Sequence, residues 1–166
     1  MSFDIFNGLI QVPSFAPFKQ NTTSALTGTT AETLITSFLI PANTFQANDW
    51  LESVLHILTN SSSNAKTVRL YFNTSASLSG ATLWSTRTLS QTTSQGFKRN
   101  LIFQNSISSQ RTISNRALDP DDAPTIGASS VLSINFAVDQ YFIISGQLAV
   151  GTDNITVAGI TSLIRR

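Results

Sequence analysis

A side chain that moves protons near neutral pH is most often a histidine, and this chain has one, His56. A Ser-His-Asp arrangement would have to use it. His56 lies inside the apolar run Leu55-His56-Ile57-Leu58, and no serine sits in a Gly-x-Ser-x-Gly elbow. It therefore reads as a structural or half-exposed residue, and a histidine-dependent hydrolase is the weaker reading. Asp119, Asp121 and Asp122 form the one acidic cluster. Oxygen-rich loops suit hard cations such as calcium, but this run lacks calcium-loop spacing and has no glutamate. Pro120 and Pro124 make it first a solvated turn. Glycosidase carboxylates meet in space rather than in sequence, and nothing here promotes such a pair. The chain has no cysteine, and its eight glycines are scattered, so neither a thiolate zinc site nor a phosphate loop is present. Lys98-Arg99 and Arg165-Arg166 are the basic doublets. Neither is interleaved with aromatics as a nucleic-acid surface would be. No catalytic residue, metal ligand or cofactor is assigned.

These residues need a scaffold, and 166 residues suit a single domain with a real core. Apolar residues make up 41% of the chain, charged residues 11%, and the net charge is +1. That balance opposes disorder and a dedicated phosphate-binding surface. The polar exterior must then be Ser, Thr, Asn and Gln, which cost less to desolvate than charges and so suit contacts between subunits. The start, Met-Ser-Phe-Asp-Ile-Phe-Asn-Gly, has neither a basic region nor a long apolar run, so no secretory signal is expected. No later stretch is long enough to span a membrane as a helix. Synthesis in a cytoplasm is the expectation.

The scaffold reads as β throughout. In Thr67 to Asn73, Val68, Leu70 and Phe72 fall on one side of an extended chain and Arg69, Tyr71 and Asn73 on the other. A serine-rich turn, Thr74 to Gly80, leads to a returning run, Ala81 to Leu89, which completes a hairpin. Ala31 to Ile40 predicts a strand covered on both faces, stopped by Pro41-Ala42-Asn43. Asp49 to Asn60 fits two patterns. Leu51, Leu55 and Ile57 alternate as a strand, while Trp50, Leu51, Val54, Leu55 and Leu58 make a helical stripe with a capping box from Asp49 to Glu52. A strand is favoured, because every neighbour reads as one. Gln95 to Asn105 places Phe97, Leu101 and Phe103 on one face. Ile107 to Ser114 predicts an edge strand, and Leu118 to Gly127 a loop. Val131 to Val138 predicts a strand with Leu132, Ile134, Phe136 and Val138 inward. Gln140 to Val150 and Ile155 to Ile164 complete about nine short strands with turns between them, the spacing of an all-β antiparallel sandwich.

Two features could carry function on such a body. Tyr71 and Trp84 both fall on the hairpin face opposite its buried set. There they would stack on a sugar, anchor a subunit interface, or belong to the core under a second layer. Residues 1–20 carry Phe3, Phe6, Phe15 and Phe18 among Asn7, Gly8, Pro13 and Pro17, without a sustained period. Prolines oppose a helix or a central strand here. An extended arm docked on a neighbour, and an arm packed on its own domain, stand as equal readings. Residues 21–166 form the sandwich in either case.

Several runs resemble jelly-roll virion proteins of tailed bacteriophages, of the head-fibre, decoration or tail-associated type. They are Ala31-Glu32-Thr33-Leu34 through Ile40-Pro41-Ala42-Asn43-Thr44-Phe45, then Val68 to Ser75, Leu78 to Leu83, and Phe97-Lys98-Arg99-Asn100-Leu101. The likeness covers about residues 30–165. It implies a jelly roll of eight or nine strands, a homotrimer, and an N-terminal arm fixed to a particle. It also implies a virion location and other virion proteins as partners; a host-surface glycan, stacked on Tyr71 and Trp84, is the alternative ligand. It carries over no catalytic residue; the residues themselves lead to no expectation of a cofactor, nucleic acid or membrane insertion.

Overall fold

A computed structural model describes residues 5–6, 9–10, 19–20, 23–89, 94–113 and 129–166. In chain order the strands are β1 (Ile5–Phe6), β2 (Leu9–Ile10), β3 (Lys19–Gln20), β4 (Ser24–Thr27), β5 (Thr33–Ile40), β6 (Trp50–Thr59), β7 (Lys66–Asn73), β8 (Thr82–Leu89), β9 (Ser94–Phe103), β10 (Gln110–Ile113), β11 (Ser129–Leu132), β12 (Gln140–Leu148) and β13 (Asn154–Arg165). No helix occurs among the described residues. The run from Asp49 to Asn60 is a strand. Its odd positions, Leu51, Ser53, Leu55, Ile57 and Thr59, are all buried, while none of its even positions is. A one-residue slip would turn that whole set into water, so burial fixes the register.

β1 and β2 pair with each other, and the remaining strands make two antiparallel sheets. The larger runs β11-β10-β9-β6-β13-β3, with β4 also on β13; the smaller runs β5-β12-β7-β8. Successive strands β4 to β7 alternate between the sheets, as do β8 with β9 and β12 with β13. The resulting orders, β4-β13-β6-β9 and β5-β12-β7-β8, are those of a jelly roll. β10 and β11 extend the larger sheet beyond β9. The residues of β3 lie within the stretch read as an arm, and β3 pairs at Ile160 and Thr161 of β13.

Between the sheets lies an aromatic cluster. Phe72 sits 5.3 Å from Trp84, 5.4 Å from Phe136 and 5.5 Å from Phe142, centroid to centroid. Phe45 stacks on Phe103 at 4.4 Å and meets Phe136 edge-on at 4.9 Å. Offset and edge-to-face pairs of this kind add to simple area burial. The β7–β8 turn closes as its residues require. Gly80 takes a φ of 74°, and the Asn73 side-chain amide donates to the carbonyls of Ser77 and Ser79.

Four expectations are corrected. Trp84 is buried (6% exposed), not outward. A β-bulge shifts the β7–β8 register between Leu70, opposite Ser85, and Tyr71, opposite Leu83. The extra residue turns Trp84 into the core beside Ser85 and sends Leu83 out, 47% exposed. Val138 is 44% exposed, because strand pairing stops at Leu132 and residues 136–138 turn. β10 is not an edge: it pairs with β9 on one side and β11 on the other. β5 is not covered on both faces. It ends the smaller sheet, is half-buried along most of its length, and exposes Leu39.

Past Leu132 the buried alternation continues through Ile134 and Phe136 without a strand partner, and one side chain substitutes for the missing ladder. The Gln110 amide, fully buried, donates to the carbonyls of Ile107 and Ile134 and accepts from the Ile134 N–H. Without it the N–H and carbonyl of Ile134 would lose these buried bonds, at a cost of about 1–3 kcal/mol each.

Candidate interaction surface

The outward positions of β6 are Trp50, Glu52, Val54, His56 and Leu58, in the middle of the larger sheet. The register sets out what stands beside them. Trp50 lies between Ile102 of β9 and Arg165 of β13, and the same row continues through Arg111 of β10 to Val131 of β11. Glu52 lies between Asn100 and Leu163, and Val54 between Lys98 and Thr161. Val131 is 58% exposed, Trp50 38% and Val54 37%; Ile102, Leu58 and Leu163 are half-buried. Scattered apolar side chains on a surface need no explanation, but a contiguous set does. Aliphatic groups around a tryptophan and arginines are the usual composition of a protein contact.

The charges on this face are unequal. Lys98 Nζ lies 2.7 Å and an Arg165 terminal nitrogen 3.8 Å from the same Glu52 oxygen. Arg111 donates from Nε to Gln104. One carboxylate thus faces two cations, Lys98 and Arg165. His56 occupies the row below, flanked in register by Gly96 and Gly159, and its Nε2 is 2.8 Å from Ser94 Oγ. The pair is exposed, and among the described residues no carboxylate is hydrogen-bonded to His56.

Tyr71 serves the opposite face of the molecule. Its hydroxyl donates to a Glu32 oxygen at 2.7 Å, and Ser145 Oγ donates to the same oxygen. Arg69 lies 3.0 Å from the other Glu32 oxygen and donates both terminal nitrogens to Gln147. Tyr71 stands opposite Ile143, which is fully buried. The ring is therefore half-buried and held, binding the start of β5 to β7 and β12. Burial pushes the Tyr71 hydroxyl up to about 12, with the Glu32 charge adding to it. Burial would also raise Glu32, but the Ser145 and Tyr71 hydroxyls and the Arg69 charge outweigh it and hold the carboxyl below its usual range.

A depressed carboxyl contributes stability that is present above its ordinary pKa of 4.5 and lost as the pH falls through the folded value. Glu32→Gln is therefore expected to flatten the acid limb of a stability–pH curve measured by urea midpoints, while lowering the neutral plateau. An acid limb as steep as wild type would show that another carboxylate controls it. At the alkaline end the raised Tyr71 acts the other way. Its contribution is complete below its ordinary pKa of 10.0 and is lost as the pH rises toward about 12.

Of the residues singled out by sequence, Trp84 belongs to the core and Tyr71 to this polar clasp, so the two are not brought together as one platform. Phe6 falls in β1, where only the backbone is described. Phe3, Phe15 and Phe18, and the cluster of Asp119, Asp121 and Asp122, lie outside the described residues. Among the described residues no group of three or more His, Cys, Asp or Glu side chains could hold a metal ion, and no helix is long and apolar enough to cross a membrane. Trp50 was missed as an outward residue, although the strand reading of Asp49 to Asn60 places it on the face opposite Leu51, Leu55 and Ile57.

No protein-family model matches the chain, and no curated protein matches it by sequence. Among solved structures the chain is similar to one described as the structure of infectious bursal disease virus Gx strain, at 10% identity and a TM-score of 0.32. The match covers 99% of this chain and 46% of that one, so this chain spans about half its length.

Proposed function

We propose that the chain is a non-enzymatic structural protein of a virion, of the tailed-bacteriophage jelly-roll kind. It acts as a homotrimer on the outside of the particle and is attached through residues 1–20. The apolar side chains exposed on this one sheet face, Trp50, Val54 and Val131, with Ile102 and Leu163 half-buried beside them, support the self-association part of this reading. The jelly-roll strand order and the strand and turn motifs quoted above support the virion part.

Sedimentation velocity of the full chain over a wide concentration range tests the assembly. The expected result is a trimer for the wild type and dissociation for Trp50→Ser, with an unchanged circular dichroism spectrum. A wild type that stays monomeric at the highest concentration removes the reading. The exposed indole of Trp50 also favours a second reading, a glycan- or receptor-binding module in which that ring stacks on a sugar. A glycan array that lights up for the wild type and goes dark for Trp50→Ser, with no change in mass, would select it.

A further inference from the structure

Given the self-association proposed above, on which this step rests, we infer that the contact between two copies covers His56 and that protonation of this imidazole releases it. His56 is exposed at an outward position of β6, between Val54, 37% exposed, and the half-buried Leu58. A second copy laid over both of these apolar side chains must also cover the ring between them. The neighbours of His56 in register are Gly96 of β9 and Gly159 of β13. Neither carries a side chain, so the ring stands with bare backbone on both sides. Glycine inside a strand often marks the close approach of another backbone or a ligand. At Gly96 that space is open: a Cβ placed there would meet no atom within 4 Å.

The surroundings of the ring set the sign. Histidine is the side chain whose charge ordinarily changes between about pH 5 and 8. Nε2 lies 2.8 Å from Ser94 Oγ, a hydroxyl that can partner the ring in either charge state. The charged side chains on this face are Glu52 of β6, Lys98 of β9 and Arg165 of β13. Lys98 flanks Val54, one row from His56, while Glu52 is four residues along β6 and already faces Lys98 and Arg165. Arg111, bonded to Gln104, stands a strand further away on β10. Covering the ring therefore removes water from it while this copy supplies no adjacent carboxylate, and that cost falls on the protonated form. Protonation and contact oppose each other. Where the free ring is protonated and the covered ring is not, each unit of falling pH costs about tenfold in the association constant for each imidazole covered. The Glu32 clasp keeps its full contribution to the fold above pH 4.5, so a window above that value reads the contact.

Sedimentation velocity of the full chain at about pH 7.5 and pH 5.5 is the test, with circular dichroism to confirm folding at both. The wild type is expected to associate about tenfold or more weakly at the lower value. His56→Gln, which keeps a polar side chain but cannot gain a charge, is expected to associate equally at both. Gly96→Leu sets a bulky side chain in the open space beside the ring and is expected to weaken association about tenfold or more at either value. A wild-type oligomer of unchanged or greater mass at the lower value overturns the inference and leaves the self-association standing. A His56→Gln variant that dissociates as the wild type does, or a folded Gly96→Leu variant that associates normally, has the same consequence. A wild type that is monomeric at both values overturns both.

Discussion

Replacing Lys66 with Met is expected to lower the unfolding free energy by about 3–5 kcal/mol, the usual result of removing one partner from a buried pair of charges. Lys66 is 0% exposed at the first position of β7. All three of its protons are engaged: Nζ lies 3.0 Å from the Ser62 carbonyl, 2.8 Å from Ser62 Oγ and 3.0 Å from the Asn64 carbonyl. The fourth neighbour is Asp153 Oδ2 at 4.0 Å. The Asn60 side chain donates to the other oxygen of Asp153 at 2.7 Å, and the Asn60 and Asn154 side-chain oxygens each accept the other's backbone N–H at 3.1 Å. One ammonium thus ties the β6–β7 turn to the β12–β13 turn at one end of the sandwich. The Asn60 bond, with Ser62 assisting, holds the Asp153 carboxyl below its usual range, and the Lys66 charge adds the smallest part. Methionine fills the volume but donates nothing, leaving three acceptors and a carboxylate without a cation. Urea titration reads the loss. The control is Lys66→Met with Asp153→Asn, which removes the stranded charge and should recover part of it. If the double variant is no more stable than the single, the carboxylate is not what makes Lys66 indispensable.

The sandwich was legible because its central strands obey a period of two with little interruption. Val68, Leu70 and Phe72 are buried as their spacing requires, and Leu51, Leu55 and Ile57 settle β6 as a strand. The departures have local causes that alternation does not encode. The bulge beside Leu70 breaks parity at Trp84. Gln110 lets Ile134 and Phe136 stay buried beyond the last strand pair, so burial there does not mean a strand. Lys66 is in phase with Val68 and was within reach of the same counting, but only the surrounding carbonyls show why a lysine can occupy that position. Arg99, in phase with Phe97 and Leu101, is likewise buried; its Nε donates to Ser85 Oγ, and its guanidinium lies 5.4 Å from the Phe97 ring centre. The interaction surface was the least legible part. Its row runs Val131, Arg111, Ile102, Trp50, Arg165, five residues from five strands, which only the pairing register brings together.

Phe136→Ala is expected to be nearly as damaging as the loss of Lys66, at about 3–5 kcal/mol. Phe136 is 1% exposed and sits 4.9 Å from Phe45, 5.3 Å from Phe103 and 5.4 Å from Phe72. It comes from neither sheet. Residues 133–138 cross the end of the sandwich held by few backbone bonds: the Asn43 N–H to the Phe136 carbonyl at 2.8 Å, and the Phe136 N–H to the Ile107 carbonyl at 3.4 Å. The side chains of Gln110 and Gln140 add bonds on Ile134 and on the Asn135 carbonyl, and the Asn135 side chain accepts the Ala137 N–H. A cavity here cannot shrink easily, because Phe45, Phe72 and Phe103 are fixed by their other contacts, and a site that collapses poorly shows the larger costs of truncation. Removing the ring also removes the main reason for the segment to stay closed. Hydrogen exchange at the Ile134 amide should therefore speed up more in Phe136→Ala than the fall in global stability explains, whereas Phe136→Leu should leave that amide nearly protected. Equal acceleration at every core amide would mean that the segment opens only when the whole sandwich does, and that Phe136 acts as ordinary core rather than as the plug of that end.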